Sequence, residues 1–342
     1  MKPIIEQSNA APSWNEFLAG HERASICHDP RWGGVMQSVY GNRPYYLTAK
    51  RDGEITGVVQ IVEQRSLAFG AHGCSLPYFD ASGILCTDDE SRQALLEQLR
   101  QLRREMKVRW IELRDYAQTD PSLPERTDKL TMQLDLCDDP DELWSKFKPK
   151  VRNLIRKAEK ADAQTAQGGA ELLDEFFGVY LRNMRDLGSP PHSKRFFRAI
   201  IDAFGDAVRL FVVRQEGNAT AASFTLCDRA TMWVPWAGTD WRYRQSSPSM
   251  LQYWEMLAEA CRRGMKTFDF GRCTVDSGTY RFKKQWEPRE IPLVWQFVMD
   301  ENDALPDLRH DSPSYRMMTA AWKRLPLWAA ATLGPRIISK VS

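Results

Sequence analysis

Two segments of the chain share one pattern of alternating apolar positions interrupted by a tight turn. Residues Tyr45–Val62 read as a strand, the turn Arg-Asp-Gly-Glu and a second strand, and residues Val208–Leu226 repeat this order around a Glu-Gly-Asn turn. A glycine beside a short polar residue supplies the positive φ angle that a tight hairpin turn needs. The pattern therefore predicts one β-hairpin in each half of the chain.

A helix and a further strand follow each hairpin after a loop. In the first half, Asp89–Met106 carries leucines at helical spacing and precedes the strand Val108–Leu113. In the second half, Pro248–Arg263 has one apolar face and ends at Gly264, before the strand Thr267–Phe270. This repetition predicts a duplicated α+β unit, each copy a mixed sheet covered by helices, and two unrelated α+β lobes are the alternative.

The boundary between the two halves is predicted near Cys137. Asp138 or Asp139 can cap a new helix that has Pro140 in its first turn, and Pro149 should break or kink that helix. A length of 342 residues also fits two domains, at roughly 150 residues each. The predicted organisation is one domain at residues 1–137, a second at 138–300, and a linker with an amphipathic tail at 301–342.

The composition narrows the class of protein. The chain is 43% hydrophobic and 27% charged, which is typical of a globular fold, and its net charge of +2 excludes a uniformly basic nucleic-acid coat. The first residues lack a secretory pattern, and no uncharged apolar stretch of about 18 residues occurs. The seven cysteines are dispersed without a CxxC pair. We therefore expect a cytoplasmic protein with reduced, mostly buried thiols and no structural zinc.

A basic segment is the first candidate for chemistry. Lys146–Lys160 holds seven cations opposed by Glu159, and Arg152 and Arg156 are spaced to project from one helix face. Arginine grips phosphate with two donors at once, so this segment suits a phosphate-bearing ligand. The alternatives are a solvated basic face and an RNA-binding module.

A second candidate is the segment Phe268–Trp286, in which a strand is followed by aromatic residues interleaved with cations. It includes Asp269, Tyr280, Phe282 and Lys283. Aromatic rings beside cations suit a stacked or phosphate-bearing ligand, and the alternative is a loop that packs its rings and solvates its lysines.

Asp80 is a third candidate because it lies among apolar residues in the loop Leu76–Leu85. It is either a cap for backbone N–H groups or a half-buried acid that orients an amine. The histidines form no HExxH pair, and we expect His28 and His72 to face solvent. No Walker A loop or Rossmann glycine triplet is present, which argues against ATP or NAD chemistry.

The C-terminal segment Met317–Ile338 combines tryptophans, leucines and basic residues. This composition fits a helix that lies in a membrane interface, which predicts peripheral membrane contact. The alternative is a helix docked on the core of the protein.

The chain resembles the FemAB family, the peptidoglycan-bridge aminoacyltransferases and their relatives. The resemblance rests on the basic helix Lys150–Lys160, on Met184–Gly188, and on the strand Phe268–Gly271 followed by Tyr280–Lys283. It covers most of residues 20–300 and looks closest to the subgroup associated with exosortase and exopolysaccharide gene clusters. It implies two tandem acetyltransferase-like (GNAT) domains.

The resemblance also implies an activity and roles for particular residues. It implies N-acyl transfer from aminoacyl-tRNA or acyl-CoA to an amine, with no cofactor besides that donor. It places a catalytic lysine at Lys283 beside Phe282, and a catalytic acid at Asp80. Arginines that meet acceptor phosphates fall on Arg152 or Arg185, and further substrate contacts are expected at Arg156, Tyr280 and Asp269.

Two departures from the family pattern concern the substrates. Bridge-forming members tend to carry a lysine four residues after an early tryptophan, where this chain has Met36 after Trp32. A GNAT-type pyrophosphate loop is not evident in Trp241–Pro248, although its backbone amides can meet a phosphate at the start of the next helix. The predicted function is transfer of an aminoacyl or acyl group to an amine of a cell-envelope or exopolysaccharide precursor. The alternative is a non-catalytic scaffold or ligand-binding protein of an envelope-assembly system.

Overall fold

The structure is a computed structural model that describes residues 2–66, 70–116, 119–301, 303–306 and 313–340. The strands are β1 (Ile4–Ser8), β2 (Pro44–Arg51), β3 (Glu54–Ser66), β4 (Gly70–Cys74), β5 (Leu85–Cys86), β6 (Ile111–Asp115), β7 (Glu125–Arg126), β8 (Leu130–Asp135), β9 (Gln164–Gly168), β10 (Val208–Gln215), β11 (Asn218–Asp228), β12 (Thr231–Thr239), β13 (Thr267–Cys273), β14 (Arg289–Pro292) and β15 (Val294–Val298). The α-helices are α1 (Asn15–Gly20), α2 (Arg31–Tyr40), α3 (Asp89–Met106), α4 (Pro140–Lys146), α5 (Pro149–Lys160), α6 (Leu173–Leu187), α7 (Lys194–Phe204), α8 (Pro248–Arg262), α9 (Gly278–Lys284), α10 (Pro313–Trp322) and α11 (Leu327–Ile338). Short 3₁₀ helices lie at Ile26–His28, Ala170–Leu172, Gly205–Ala207 and Trp241–Ser246.

The chain forms two compact units, each built around its own mixed sheet. The sheet of unit 1 has the order β1-β2-β3-β4-β6-β15-β7, with β5 beside β3, and the sheet of unit 2 has the order β9-β10-β11-β12-β13-β8-β14. The two orders correspond strand by strand, with an antiparallel hairpin and then a parallel pair in each. The predicted duplicated α+β unit is therefore confirmed.

The local patterns explain these repeated elements. Asp52 with Gly53, and Glu216 with Gly217, have positive φ angles at the two hairpin turns, as the turn residues predict. Helix α3 has the predicted bounds, and the side chain of Asp88 caps it by accepting from Ser91 N–H. Its leucines are buried against the sheet of unit 1.

The units divide the chain differently from the predicted boundaries. Strand β8, which precedes Cys137, pairs with β13 in unit 2, and β15, from the end of the predicted second domain, pairs with β6 in unit 1. Helices α10 and α11 belong to unit 2. The helix start itself lies where it was predicted, because Asp139 caps α4 and Pro140 opens it, and Pro149 then begins the separate helix α5.

The sheet of unit 2 buries both of its faces. Helices α5 and α8 cover one face, where Phe211 and Met232 belong to a single apolar cluster with Ile155. On the other face, aromatic residues of α6 and α7 meet Phe224 and Trp236. Each such side chain contributes about 1.5–3 kcal/mol by leaving water.

The structure corrects the prediction that His28 and His72 face solvent, since both are buried with 7% of their surface exposed. His28 belongs to a 3₁₀ helix in which its Nδ1 accepts from Ser25 N–H, and Nε2 of His72 lies 3.1 Å from Oε1 of Gln64. All seven cysteines are free thiols and six are buried, as predicted. No described helix is long and apolar enough to cross a membrane.

Candidate active site

The parallel strands β12 and β13 of unit 2 separate partway along their length. Among the described residues, they pair over Thr231–Trp233 and Thr267–Asp269. Just beyond, each strand carries an extra residue relative to its other neighbour: β12 between Trp233 and Trp236, and β13 between Asp269 and Arg272. A bulge bends its strand away from regular pairing. We call the resulting opening the strand split.

Glycine is required in β13 just beyond the last residue that pairs with β12. Gly271 has φ +75°, and a Cβ atom there would lie 3.0 Å from the carbonyl oxygen of Val234 in β12. The residue after Val234 is Pro235, which has no N–H to donate to a neighbouring strand. These two residues explain why the parallel ladder ends at this point.

Lys283 is fixed at the base of the split. Ser277 caps α9 by accepting from Tyr280 N–H, and the helix directs Lys283 back onto β13. Its ammonium donates to the carbonyl oxygens of Gly271 at 2.6 Å and Arg272 at 3.0 Å, and the residue is 4% exposed. The structure therefore holds a cation at the bulge of β13.

Asp269 lies at the last paired position of β13 and is 2% exposed. Its carboxylate accepts from Thr131 Oγ1 at 2.6 Å, Gln133 Nε2 at 2.9 Å and Gly271 N–H at 2.7 Å. Burial raises the pKa of Asp269, while these hydrogen bonds and the charge of Lys283 oppose that rise. With three donors inside the protein, this carboxylate stabilises the bulge, and its expected contact with a substrate stays a prediction.

Tyr280 and Phe282 lie on the same short helix as Lys283. The hydroxyl of Tyr280 donates to Glu290 at 2.9 Å, and this hydrogen bond raises the pKa of Tyr280. The ring of Phe282 packs 5.0 Å from that of Tyr253, beside the core of unit 2. Four predicted site residues, Asp269, Tyr280, Phe282 and Lys283, are thus brought together by β13 and α9.

The far end of β12 carries polar residues that the sequence reasoning missed. Asp240 caps the 3₁₀ helix that follows β12, accepts from Arg242 and pairs with Arg182 at 3.2 Å. Although burial raises the pKa of Asp240, the hydrogen bonds and charges of both arginines lower it below its ordinary value. The signal that could have found this network is the run Asp-Trp-Arg-Tyr-Arg directly after a predicted strand.

Asn183 is a second missed residue. It is buried on α6, its Oδ1 accepts from Thr239 N–H at 3.4 Å, and a Cβ atom on Gly238 would lie 3.0 Å from it. Because Gly238 of β12 has no side chain, the amide of Asn183 can approach the backbone of this strand.

The predicted arginines lie on helices at opposite faces of the unit 2 sheet. Arg152 is half-buried on α5, and its Nε atom is buried with no hydrogen-bond partner among the described residues. Arg156 is exposed and stacks over Trp144 at 5.5 Å. Arg185, on α6, donates to Asp186 and to the carbonyl oxygen of Leu325 in the tail. The structure does not bring Arg152 and Arg185 together.

Asp80 belongs to unit 1, where the parallel pair β4–β6 also ends early, at Cys74 and Glu112. The guanidinium of Arg114 is fully buried, 2.7 Å from Glu112, and donates to the carbonyl oxygen of Phe79. Burial lowers the pKa of Arg114, but Cys74, Glu112 and Asp80 raise it above its ordinary value. Asp80 itself is half-buried beside this buried ion pair.

The described residues hold no group of three or more His, Cys, Asp or Glu side chains placed to bind a metal ion. The arrangement in unit 2 can hold reacting groups in position and stabilise negative charge. The bulge of β13 lies beside the fixed ammonium of Lys283, which can stabilise negative charge that develops on a ligand there.

A model of a known protein family matches part of unit 2. Residues 145–284 match the family model described as "Acetyltransferase (GNAT) domain", a segment that includes the strand split and Lys283. A search of curated proteins gave no significant match.

Among solved structures, FemX is similar with a TM-score of 0.67 and 14% identity, over 92% of this chain and 100% of that one. L-PGS from Bacillus licheniformis gives a TM-score of 0.55 and 13% identity, over 93% and 98% of the two chains. A tandem GNAT protein from the clavulanic acid biosynthesis pathway gives 0.50 and 10%, over 86% and 98%. The chain therefore has a tandem GNAT fold.

Proposed function

We propose that this protein is an N-acyltransferase of the FemAB type. It transfers an aminoacyl or acyl group from an activated donor to an amine of a peptidoglycan, exopolysaccharide or other cell-envelope precursor, in the cytoplasm. The observation that carries the proposal is the strand split of unit 2, with a buried lysine fixed at its base inside the segment that matches the GNAT model.

In this mechanism the donor's ester or thioester lies along the split. The acceptor nitrogen attacks the acyl carbon, a C–N bond forms, and the C–O or C–S bond of the donor breaks. The amine loses a proton and the leaving oxygen or sulfur gains one. Holding amine and ester together supplies most of the acceleration, and the positive charge of Lys283 stabilises the negative charge that develops on the donor. The role of Asp80 as an acid, which the resemblance implies, stays a prediction.

Two donor classes are compatible with the fold. One structural relative, a tandem GNAT protein, is described as a structure without acetyl-CoA, and another is described as the C-terminal domain of a putative lysylphosphatidylglycerol synthetase, which points to an aminoacyl group. Helix α8 begins at Pro248 with no acidic residue in its first turn and no side-chain cap, so N–H groups of its first turn can donate to a phosphate of either donor.

Arg152 is the better candidate for an acceptor phosphate. Its Nε has no partner among the described residues, whereas the guanidinium of Arg185 already joins α6 to the tail. Arginine binds phosphate bidentately, so a ligand would satisfy this buried donor. Replacing Arg152 with Gln should raise the acceptor KM with little change in kcat, and Lys157→Gln on the exposed side of the same helix is the matched control.

The first experiment is a thermal-shift titration against aminoacyl-tRNA, uncharged tRNA and acetyl-CoA, followed by transfer assays with amine-bearing envelope precursors. A ligand that binds the folded state raises its melting temperature. The variant Lys283→Met keeps an apolar stem and removes the ammonium, and we expect it to lower turnover about 100-fold or more. Lys284→Met, which removes a surface ammonium paired with Glu290, should retain activity.

Wild-type turnover by folded Lys283→Met would contradict the role of this lysine.

One observation favours the alternative of a non-catalytic scaffold: the ammonium of Lys283 is engaged by two backbone carbonyl groups. A protein that binds none of the three donors but captures an envelope-assembly partner would support that alternative.

A further inference from the structure

The exposed large hydrophobic side chains of the described chain are concentrated in its last two helices. Trp328 is 74% exposed and Met317 is 71% exposed, and Met318, Leu333 and Ile337 are exposed as well. Leu187, also exposed, adjoins Gly188, against which α10 packs through Thr319. Single exposed hydrophobic residues are ordinary, but a cluster on one element marks an interaction surface.

The outward face of α11 is fixed by the way the helix docks. Ala329, Ala330 and Gly334 are buried against unit 2, and a Cβ atom on Gly334 would lie 2.3 Å from Pro191. Only the helix face that is made of alanine and glycine can pack this closely against Pro191. Trp328 and Leu333 are therefore held outward. The helix docks on the protein, which is one of the two alternatives for the tail, and it still presents an apolar face.

The charge of residues 313–340 indicates what kind of partner this exposed apolar face would bind. Residues 313–340 contain no Asp or Glu and five cations, all exposed: Arg316, Lys323, Arg324, Arg336 and Lys340. Tryptophan and aliphatic side chains flanked only by cations suit the interface of an anionic bilayer, in which apolar groups enter the acyl boundary and cations meet phosphates.

We propose that α10 and α11 form a membrane-docking face that binds an anionic phospholipid surface. The face is independent of the strand split, so the proposal does not rest on the proposed transferase activity. Its occupant is the bilayer itself, bound by insertion of Trp328 and Leu333 and by attraction between lipid phosphates and the five cations.

The test is co-sedimentation of the full chain with phosphatidylcholine vesicles, with and without about one third phosphatidylglycerol. Wild-type protein should pellet with the anionic vesicles, and less so as salt is raised. The double variant Trp328→Glu with Leu333→Glu should lower the partition coefficient about 10-fold or more. Ile4→Glu, which places the same charge on an exposed hydrophobic of unit 1, is the matched control and should bind like wild type.

A second pair of variants separates the tail from the basic helix α5. Arg324→Glu with Lys340→Glu should weaken binding to anionic vesicles, whereas Lys157→Glu should not. Equal pelleting of the wild type and both tail variants would overturn the proposal, as would binding that is lost only in Lys157→Glu. Failure of the wild type to bind any vesicle at low salt would also overturn it. Matching melting temperatures establish that the variants are folded.

Discussion

His28 and His192 are buried as neutral imidazoles, and the ring centroid of His192 lies 5.7 Å from that of Trp236, at the end of the β12 bulge. Burial lowers the pKa of His28 to about 4 and that of His192 to about 3. His192 stacks on Phe196 with ring centroids 4.3 Å apart, and His28 accepts a backbone N–H from Ser25. Both side chains pack as polar members of the core. They lower the free energy of unfolding only when the solution becomes acidic enough to protonate them in the unfolded chain.

We predict that the protein loses stability as the pH falls from about 6.5 towards 4. Between these pH values His28 is protonated in the unfolded chain but stays neutral in the folded chain. The unfolded state therefore binds more protons, and the equilibrium shifts towards unfolding. For His28 alone the loss at pH 5 is about 2 kcal/mol. The variant His28→Asn keeps an acceptor near the Nδ1 position and cannot charge. Urea denaturation at pH 8 and pH 5 should show a smaller pH dependence for this variant, and an unchanged dependence would contradict the assignment.

At the scale of elements, a bulge in each of two neighbouring strands distinguishes the site of unit 2 from a regular sheet. The bulge of β12 contains Pro235, and the bulge of β13 contains Gly271, Asp269 and the carbonyl groups that Lys283 binds. Each feature alone is a local irregularity. Together they end the ladder between two parallel strands beside a buried cation.

The variant Gly271→Ala should disturb the split itself. An alanine there has a left-handed backbone, at a cost of about 1–2 kcal/mol, and its Cβ also presses on the carbonyl of Val234. Gly264→Ala is the matched control, because Gly264 also has a positive φ but no atom within 4 Å of an added Cβ.

We expect both glycine variants to lower the free energy of unfolding, measured by urea denaturation. Only Gly271→Ala should also weaken donor binding in the thermal-shift titration. Equal donor binding by the two variants would show that the split is not the donor site.

Helix α11 offers a second test at this scale. Gly334→Ala should undock the helix, since the backbone nitrogen of Pro191 lies 2.9 Å from the added Cβ position. Gly178→Ala, in α6, meets no atom within 4 Å and should stabilise its helix by about 0.5–1 kcal/mol. Hydrogen exchange should rise in residues 327–338 of the first variant and stay low in the second. Unchanged protection in Gly334→Ala would contradict the docking contact.

At the scale of the whole molecule, each sheet depends on a strand that is remote in sequence or lies beyond the expected boundary. In unit 1, β15 lies between β6 and β7, and Trp295 and Phe297 are buried there. Gln296 exchanges hydrogen bonds with the backbone of Asp120 at 2.8 Å in both directions. A unit that lacks this strand has an open, apolar sheet edge.

A fragment of residues 1–137 should therefore fail to fold, because it lacks β15. Adding a peptide of residues 289–306 should restore its near-ultraviolet circular dichroism, since the peptide supplies Trp295 and the missing ladder. A peptide of the same composition in scrambled order is the control. A fragment 1–137 that folds cooperatively by itself would contradict the strand assignment.

Several elements could be predicted because their causes are local. Turn glycines placed both hairpins and leucine spacing placed α3, and the cluster of Tyr280, Phe282 and Lys283 followed from their closeness in sequence. The missed residues have nonlocal causes. Asn183 reaches the site only because α6 packs on β12, and Arg114 is buried only because unit 1 closes around it.

The sequence by itself determined the duplicated α+β architecture, the helix start at Asp139 and the basic character of α5 and the tail, because these depend on spacing within a few turns of chain. The tertiary structure decided which strands complete each sheet, where the parallel ladder ends, that Lys283 binds carbonyl groups and that Trp328 faces outward. Those outcomes depend on hydrogen bonds and packing between segments far apart in sequence, and on steric limits such as Gly334 against Pro191, which no local pattern records.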